Sequence, residues 1–206
     1  IAQGAGITNS SVGYYLDRLS ELRIINRDYP VTVDPSRSRK GRYEISDPLF
    51  RFWFRFVYGR TARYEVYGND AYADLIDPEL SDFVSTAFER LCQRAVLYTY
   101  GDTYRFVEEP GNWWDGSGHE IDLVAPTNGS TLLVGEAKFK QSKMGYDVFS
   151  QLQDEAQLID WTPDDGQNPE YEFALFSRSG FSQSLEEAAT KRDTLRLFTV
   201  DEVVRL

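Results

Sequence analysis

Two apolar, β-branched runs, Glu120–Ala125 and Thr131–Phe139, flank a turn at Thr127–Ser130. This hairpin signal constrains the fold more than any other stretch of the chain. A helical pattern follows from about Tyr146 to Trp161, then a strand at Tyr171–Phe176, a helix at Gln183–Lys191 and a strand at Leu195–Val200. Upstream, Asp77-Pro78 opens a helix running to about Tyr98, with an apolar stripe of Phe83, Ala87, Phe88, Leu91, Cys92 and Ala95. Between it and the hairpin, Tyr104–Val107 and Trp113-Trp114 read as short strands or their ends, the tryptophans packing a sheet edge. Helix, three strands, helix, strand is the order of an α/β layered domain, expected over 77–206.

The preceding residues follow a different pattern. Ala2, Ala5, Ile7, Val12, Leu16, Leu19 and Leu22 recur at helical spacing, interrupted at Gly4 and Gly6, so residues 1–25 are expected to form two helices. Asn9 or Ser10 is the expected cap of the second. Extended stretches follow at Tyr29–Val33 and Arg42–Ile45, separated by the basic, turn-rich loop Asp34–Gly41. Two helices and a basic-tipped hairpin form a partial winged helix over 1–46. Its second helix would present Ser11, Tyr14 and Arg18 to a DNA groove, with Arg37, Arg39, Lys40 and Arg42 along phosphates. Winged helices also serve as rigid linkers or protein docks. Asp47-Pro48 then starts an aromatic helix, Leu49–Tyr58, within a connecting segment 47–76; being apolar nearly all round, it is expected to be buried.

Charge separates the same two parts. Residues 1–63 carry 11 basic and 6 acidic residues, whereas 64–206 carry 11 basic and 27 acidic. The basic part suits an anionic partner, and the acidic part repels phosphate in dilute salt. Arginine outnumbers lysine 17 to 5, and the acid excess is dispersed, which fits either a halophile surface or an acidic mesophilic one. No apolar run reaches the roughly 18 residues of a membrane span, so no membrane partner is expected. Cys92 stands alone and cannot form an internal disulfide, which fits a reducing cytoplasm. Ile1 falls within a helical pattern and no leader pattern is visible, so the chain reads as the C-terminal part of something longer, located in the cytoplasm.

The candidate chemistry lies on the hairpin. Strand alternation puts Glu136 and Lys138 on one face. Asp122, on the partner strand, joins them only if opposed residues have an even index sum, as a three-residue loop or a bulge would give. A two-residue Asn128-Gly129 turn would send Asp122 to the other face. Two carboxylates there suit Mg²⁺ or Mn²⁺, and the lysine would orient the nucleophile or neutralise the transition state. Glu89, at the edge of the preceding helix stripe, can reach the same cleft. His119 is the only histidine, which excludes a multi-histidine metal site and reads as a simple polar neighbour.

The run Arg42–Val57, together with Phe88-Glu89, Gly111–Trp114, Glu120–Ala125, Gly135–Lys138 and Ser179–Phe181, resembles the C-terminal region of the archaeal-type P-loop ATPase family. That region is similar to a winged helix followed by a PD-(D/E)XK nuclease-like domain of unknown function. The resemblance implies a restriction-endonuclease-like mixed sheet flanked by helices. It maps metal-binding carboxylates onto Glu89, Asp122 and Glu136, the lysine onto Lys138, and a further site residue onto Gln151. It also implies an attached N-terminal ATPase domain, although no Gly-x-x-x-x-Gly-Lys-[Ser/Thr] occurs here and ATP binding by this chain is not expected. Ile121 stands where such nucleases usually carry proline before the aspartate. The resulting expectation is a metal-dependent DNA endonuclease. The alternative is a non-catalytic module that binds DNA or protein and regulates the ATPase.

Overall fold

The computed structural model describes residues 2–6 and 8–206. It divides into two compact units, 1–29 with 41–79, and 30–40 with 80–206.

The first unit begins with α1 (Ala2–Ala5) and α2 (Asn9–Glu21). The apolar position expected at Ile7, and the side chains of Ala2, Ala5 and Asn9, lie outside the described residues. Thr8, rather than Asn9 or Ser10, occupies the N-cap position of α2, and its hydroxyl bonds those of Ser10 and Ser11 instead of a backbone N–H. Strands β1 (Ile25–Asp28) and β2 (Arg42–Ile45) pair antiparallel, Ile25 opposite Ile45. The first strand therefore lies before the stretch expected at Tyr29–Val33. Pro30 has no N–H to donate to a ladder, and its carbonyl accepts from Val33 in a tight turn.

Asp47 caps α3 (Pro48–Phe52) by accepting from the N–H groups of Leu49 and Phe50, with Pro48 at the first helical position. The helix continues as a π-helical turn, Trp53–Val57, closed by the bond from Tyr58 N–H to the Trp53 carbonyl. The expectation of a buried aromatic helix is overturned. Phe56 is fully buried, but Leu49, Phe50, Trp53, Phe54 and Tyr58 are exposed. Apolar character all round a helix does not bring a second covering layer into being; Phe56 turns inward with the half-buried Phe52 packed on it, and the other rings stay on the surface. Short helices α4 (Thr61–Tyr67) and α5 (Asn69–Leu75) follow.

Helix α6 (Asp77–Tyr100) leads into the second unit. Its buried stripe is Phe88, Cys92, Ala95, Val96 and Tyr100; Ala87 and Leu91, expected on that stripe, face outward. Five strands form a sheet in the order β3 (Gly111–Trp114), β4 (Glu120–Pro126), β5 (Thr131–Lys138), β6 (Glu170–Ser177) and β7 (Leu195–Thr199). The first three run antiparallel to their neighbours, and β5, β6 and β7 are parallel. Helices α7 (Tyr146–Ala156) and α8 (Gln183–Thr190) make the two crossovers, and α9 (Val200–Val204) ends the chain. Tyr104–Val107 contributes only an isolated bridge, Phe106 to Thr127. Helix α7 stops at Ala156, short of Trp161, because Leu158 and Ile159 bond carbonyls three residues back and tighten the last turn.

The sheet carries a core on each face. Phe149, Leu152 and Ala156 of α7 and Leu185 of α8 meet Ile121, Val124, Leu132, Val134 and Leu175 on one side. On the other, Phe88, Cys92, Ala95, Val96 and Tyr100 of α6 meet Leu123, Ala125, Leu133 and Phe176. This is a mixed α/β domain whose five-stranded sheet is flanked by helices. Among the described residues no helix is long and apolar enough to cross a membrane.

Candidate metal and phosphate site

The hairpin register determines which side chains can meet. Pairing runs from Leu123–Gly135 to Pro126–Leu132, and Thr127 N–H bonds the Thr131 carbonyl. Asn128, Gly129 and Ser130 form the loop. This is the three-residue turn that gives an even index sum; the ladder ends at Leu123–Gly135, and Asp122 and Glu136 are the next residues beyond it on the two strands. Gly135 is required for the close approach of three strands here. A Cβ on it would stand 2.6 Å from the Ala174 carbonyl oxygen and 3.3 Å from the Leu123 Cβ.

A second irregularity aims Asp122. Between the pairs Gly111–Val124 and Trp113–Ile121, Asn112 alone stands opposite both Asp122 and Leu123. Asp122 therefore sits in a bulge of β4, a device that redirects a side chain. Its Oδ2 accepts from the Ala137 N–H at 3.0 Å. Gln93 of α6 secures the bulge from behind, its Nε2 donating to the Asp122 carbonyl at 2.7 Å and to Asn112 Oδ1 at 3.0 Å. Sequence reading missed Gln93. Its one signal is a polar residue one turn after Glu89, beside the apolar stripe that holds Cys92.

Asp122, Glu136 and Lys138 line one cleft of about 340 Å³, with Gly118 and Glu120 of the sheet side and Val148, Gln151, Leu152 and Glu155 of α7. The cleft opens at the carboxyl end of β5, where the first parallel crossover departs, a common place for ligands in such sheets. Lys138 Nζ donates to Glu136 Oε1. Gln151 is on the wall and donates to Glu155 at 2.9 Å. Glu89 is half-buried on α6, one turn before Gln93, and is not part of the wall. Its charge still reaches Lys138.

Burial raises the pKa of Asp122, against the Ala137 N–H and the Lys138 charge that lower it. Burial, with the Asp122 charge beside it, pushes Glu136 up to about 8 despite Lys138. For Lys138 burial acts to lower the pKa, but the Glu136, Asp122 and Glu89 carboxylates outweigh it and hold the amine charged. Two acids within reach of one proton thus face one ammonium group. Cys92 is buried, and burial with Asp122 and Glu89 nearby keeps it a thiol, so it belongs to the core as expected.

Among the described residues no three His, Cys, Asp or Glu side chains form a group that could hold a metal. The trio of Glu89, Asp122 and Glu136 implied by the resemblance is thus present as a pair, with Glu89 set apart. The residues expected to meet DNA fall in two places. Tyr14 and Arg18 are exposed on α2, and Arg18 also pairs with Glu21 at 2.6 Å; Ser11 is partly covered there. Arg42 is exposed on β2. Arg37, Arg39 and Lys40 are exposed on a loop that belongs to the second unit. Val31 N–H bonds the Asn112 carbonyl at 3.1 Å, and Trp114 Nε1 donates to the Lys40 carbonyl at 3.1 Å. The loop thus lies along the outer edge of β3.

A family described as "Archaea bacterial proteins of unknown function" (DUF234) matches residues 53–148, which include the π-helical turn, α6 and both strands of the hairpin. The chain is also 28% identical over 144 residues to the uncharacterized protein MJECL04 of Methanocaldococcus jannaschii. That alignment covers 67% of this chain and 31% of the relative, so the chain spans about a third of that protein's length. No solved structure matches the chain.

Proposed function

We propose that the second unit is a divalent-metal-dependent phosphodiesterase acting on DNA, of the PD-(D/E)XK restriction-endonuclease-like type. The observation that carries this reading is the convergence of Asp122, Glu136 and Lys138 on one cleft through an even hairpin register and a bulge. A chance acid-any-lysine triplet has no reason to meet an aspartate from the neighbouring strand.

The donor set fits a hard cation. Mg²⁺ typically takes one or two carboxylates and fills its other positions with water and phosphate oxygens. Asp122 and Glu136 provide two, and their raised pKa values mark a site short of positive charge. A bound Mg²⁺ or Mn²⁺ supplies a water of lowered pKa and charge stabilisation at the phosphate. Lys138, fixed by Glu136, orients the attacking oxygen or offsets transition-state charge. Gln151 and Glu155 close the wall opposite. The helix pair and hairpin of the first unit act as a partial winged helix that places the duplex. In the longer protein suggested by the resemblance, an ATPase domain precedes both.

The second reading is a non-catalytic module that binds DNA or a partner and regulates that ATPase. The 27 acidic residues against 11 basic ones over 64–206 favour it. Incubation of plasmid and short duplexes with Mn²⁺, at low and high salt, separates the two. Cleavage abolished by Lys138→Ala establishes the enzyme; DNA binding without cleavage under every condition establishes the module.

A further inference from the structure

Phosphodiester hydrolysis joins a water oxygen to phosphorus and breaks the bond to a sugar oxygen, which leaves as an alkoxide and must gain a proton. Among the described residues of the cleft wall, Lys138 is the one cation, and it already donates to Glu136. His119 is not itself on the wall, but its chain neighbours Gly118 and Glu120 are, and the charge of Glu155, across the cleft on α7, reaches its ring. Its ring is 42% exposed and its Nδ1 is bonded to Asp115 Oδ2 at 2.7 Å. The other oxygen of Asp115 accepts from the N–H groups of Ser117, Gly118 and His119 at 2.7, 2.9 and 3.1 Å, so the whole turn is organised about one carboxylate. With Nδ1 committed, Nε2 is the nitrogen left to act, and the neighbouring carboxylate fixes the tautomer.

We propose that His119, oriented by Asp115, is the general acid that protonates the leaving oxygen. The inference rests on the phosphodiesterase reading. The Nε2 proton passes to the leaving oxygen as the P–O bond breaks, the proton shed by the attacking water goes to solvent, the products are a phosphomonoester and an alcohol, and the imidazole is reprotonated from solvent. Two further features agree. The hydrogen bond that His119 donates to Asp115, with the charges of Asp115 and of Glu155 on the cleft wall, favours the protonated ring and outweighs its burial. Asp115 itself is held down at about 2, chiefly by the bond to His119, and remains an anion at neutral pH. Asp115 is a positioning residue; in this assignment His119, at the rim of the cleft, is the group that meets the leaving oxygen.

The experiment compares leaving groups. Wild type, His119→Gln, Asp115→Asn and Lys138→Ala are assayed with Mn²⁺ on a DNA duplex, whose alkoxide needs a proton. The same proteins are assayed on bis(p-nitrophenyl) phosphate, whose p-nitrophenolate is stable as an anion. His119→Gln is expected to lose about 100-fold or more on DNA and to stay within about threefold on the activated ester. Asp115→Asn should show a smaller loss with the same selectivity, and Lys138→Ala should fail on both. Equal losses on the two substrates, or none for His119→Gln, overturn the assignment while leaving the enzyme in place. Cleavage of neither substrate by wild type overturns the phosphodiesterase reading, and this assignment with it. Unchanged thermal unfolding of His119→Gln excludes misfolding as the cause of a loss.

Discussion

Glu136→Gln should make the metal-free protein more stable in alkali. In the native state Glu136 titrates at about 8 rather than at the ordinary 4.5. Between those values the native chain holds more protons than the unfolded one. The free energy of unfolding therefore falls as pH rises through that window and levels off above it. At about 1.4 kcal/mol per pKa unit the full difference is about 5 kcal/mol. Proton sharing with Asp122 and the bond from Lys138 reduce this to an expected 2–3 kcal/mol, on the order of half that ceiling. Glutamine keeps the shape and a carbonyl for Lys138, and has no proton to lose. At pH 5, where Glu136 is already neutral, the two proteins should agree within about 0.5 kcal/mol. At pH 9 the variant should lead by about 2–3 kcal/mol, roughly 4–12 °C in Tm for a chain of this size. Urea unfolding in EDTA, followed by fluorescence of the buried Trp113 and Trp114, provides the curves. Parallel pH profiles for wild type and variant would refute the argument, because they would mean that Glu136 ionises without cost.

Three other outcomes follow from the same geometry. Mn²⁺ or Mg²⁺ added at pH 8 should stabilise wild type by about 2.7 kcal/mol at a hundredfold excess over Kd, and Asp122→Asn far less; calorimetry with and without EDTA checks it. Gly135→Ala should cost about 1–3 kcal/mol in denaturant unfolding, because the obstruction is the Ala174 backbone oxygen and cannot swing away. Gln93→Leu leaves the Asp122 carbonyl and Asn112 Oδ1 without their donor. It should destabilise by about 1–3 kcal/mol and weaken Mn²⁺ binding about tenfold in titration calorimetry.

The sequence revealed most where periodicity and burial agree. The hairpin, α6, α8 and the last two strands were legible because each helix buries one apolar stripe and the strands, covered on both faces, are nearly continuous apolar runs. The aromatic helix misled for the converse reason. Phe50, Trp53 and Phe54 have the composition of a core, yet composition does not reveal whether anything packs over them. In the candidate site, Glu136 and Lys138 were bound to share a face by strand alternation alone. Asp122 was not, because its face depends on one residue in the loop, and Thr127 resolves this by bonding the Thr131 carbonyl through both its N–H and its hydroxyl. Gln93 was not legible at all, since its partners are a backbone carbonyl and an amide on strands distant in sequence. Glu89 kept the helical position expected of it, but lies off the cleft wall.

The acidity of the second unit bears most directly on whether it can approach a phosphate backbone, and the loop along β3 supplies a local answer. Trp114 pairs with Glu120 across β3 and β4 and holds the Lys40 carbonyl at its other side. The bond from Val31 N–H to the Asn112 carbonyl sets the start of the loop beside β3, the neighbour of the strand that borders the cleft. Arg37, Arg39 and Lys40 project from that loop into solvent, Arg37 with Asp34 3.5 Å away. A duplex whose scissile phosphate enters the cleft would have neighbouring phosphates within reach of these cations, while the dispersed carboxylates elsewhere are screened over about 8 Å at physiological ionic strength. If Arg37 and Arg39 each neutralise one phosphate, replacing both by alanine should reduce the slope of log K against log salt by about 2. Fluorescence anisotropy of a labelled duplex, with Lys138→Ala as the background to prevent turnover, measures that slope. An unchanged slope would mean that the loop meets no phosphate, and the acidic unit would then have to be brought to DNA by other residues.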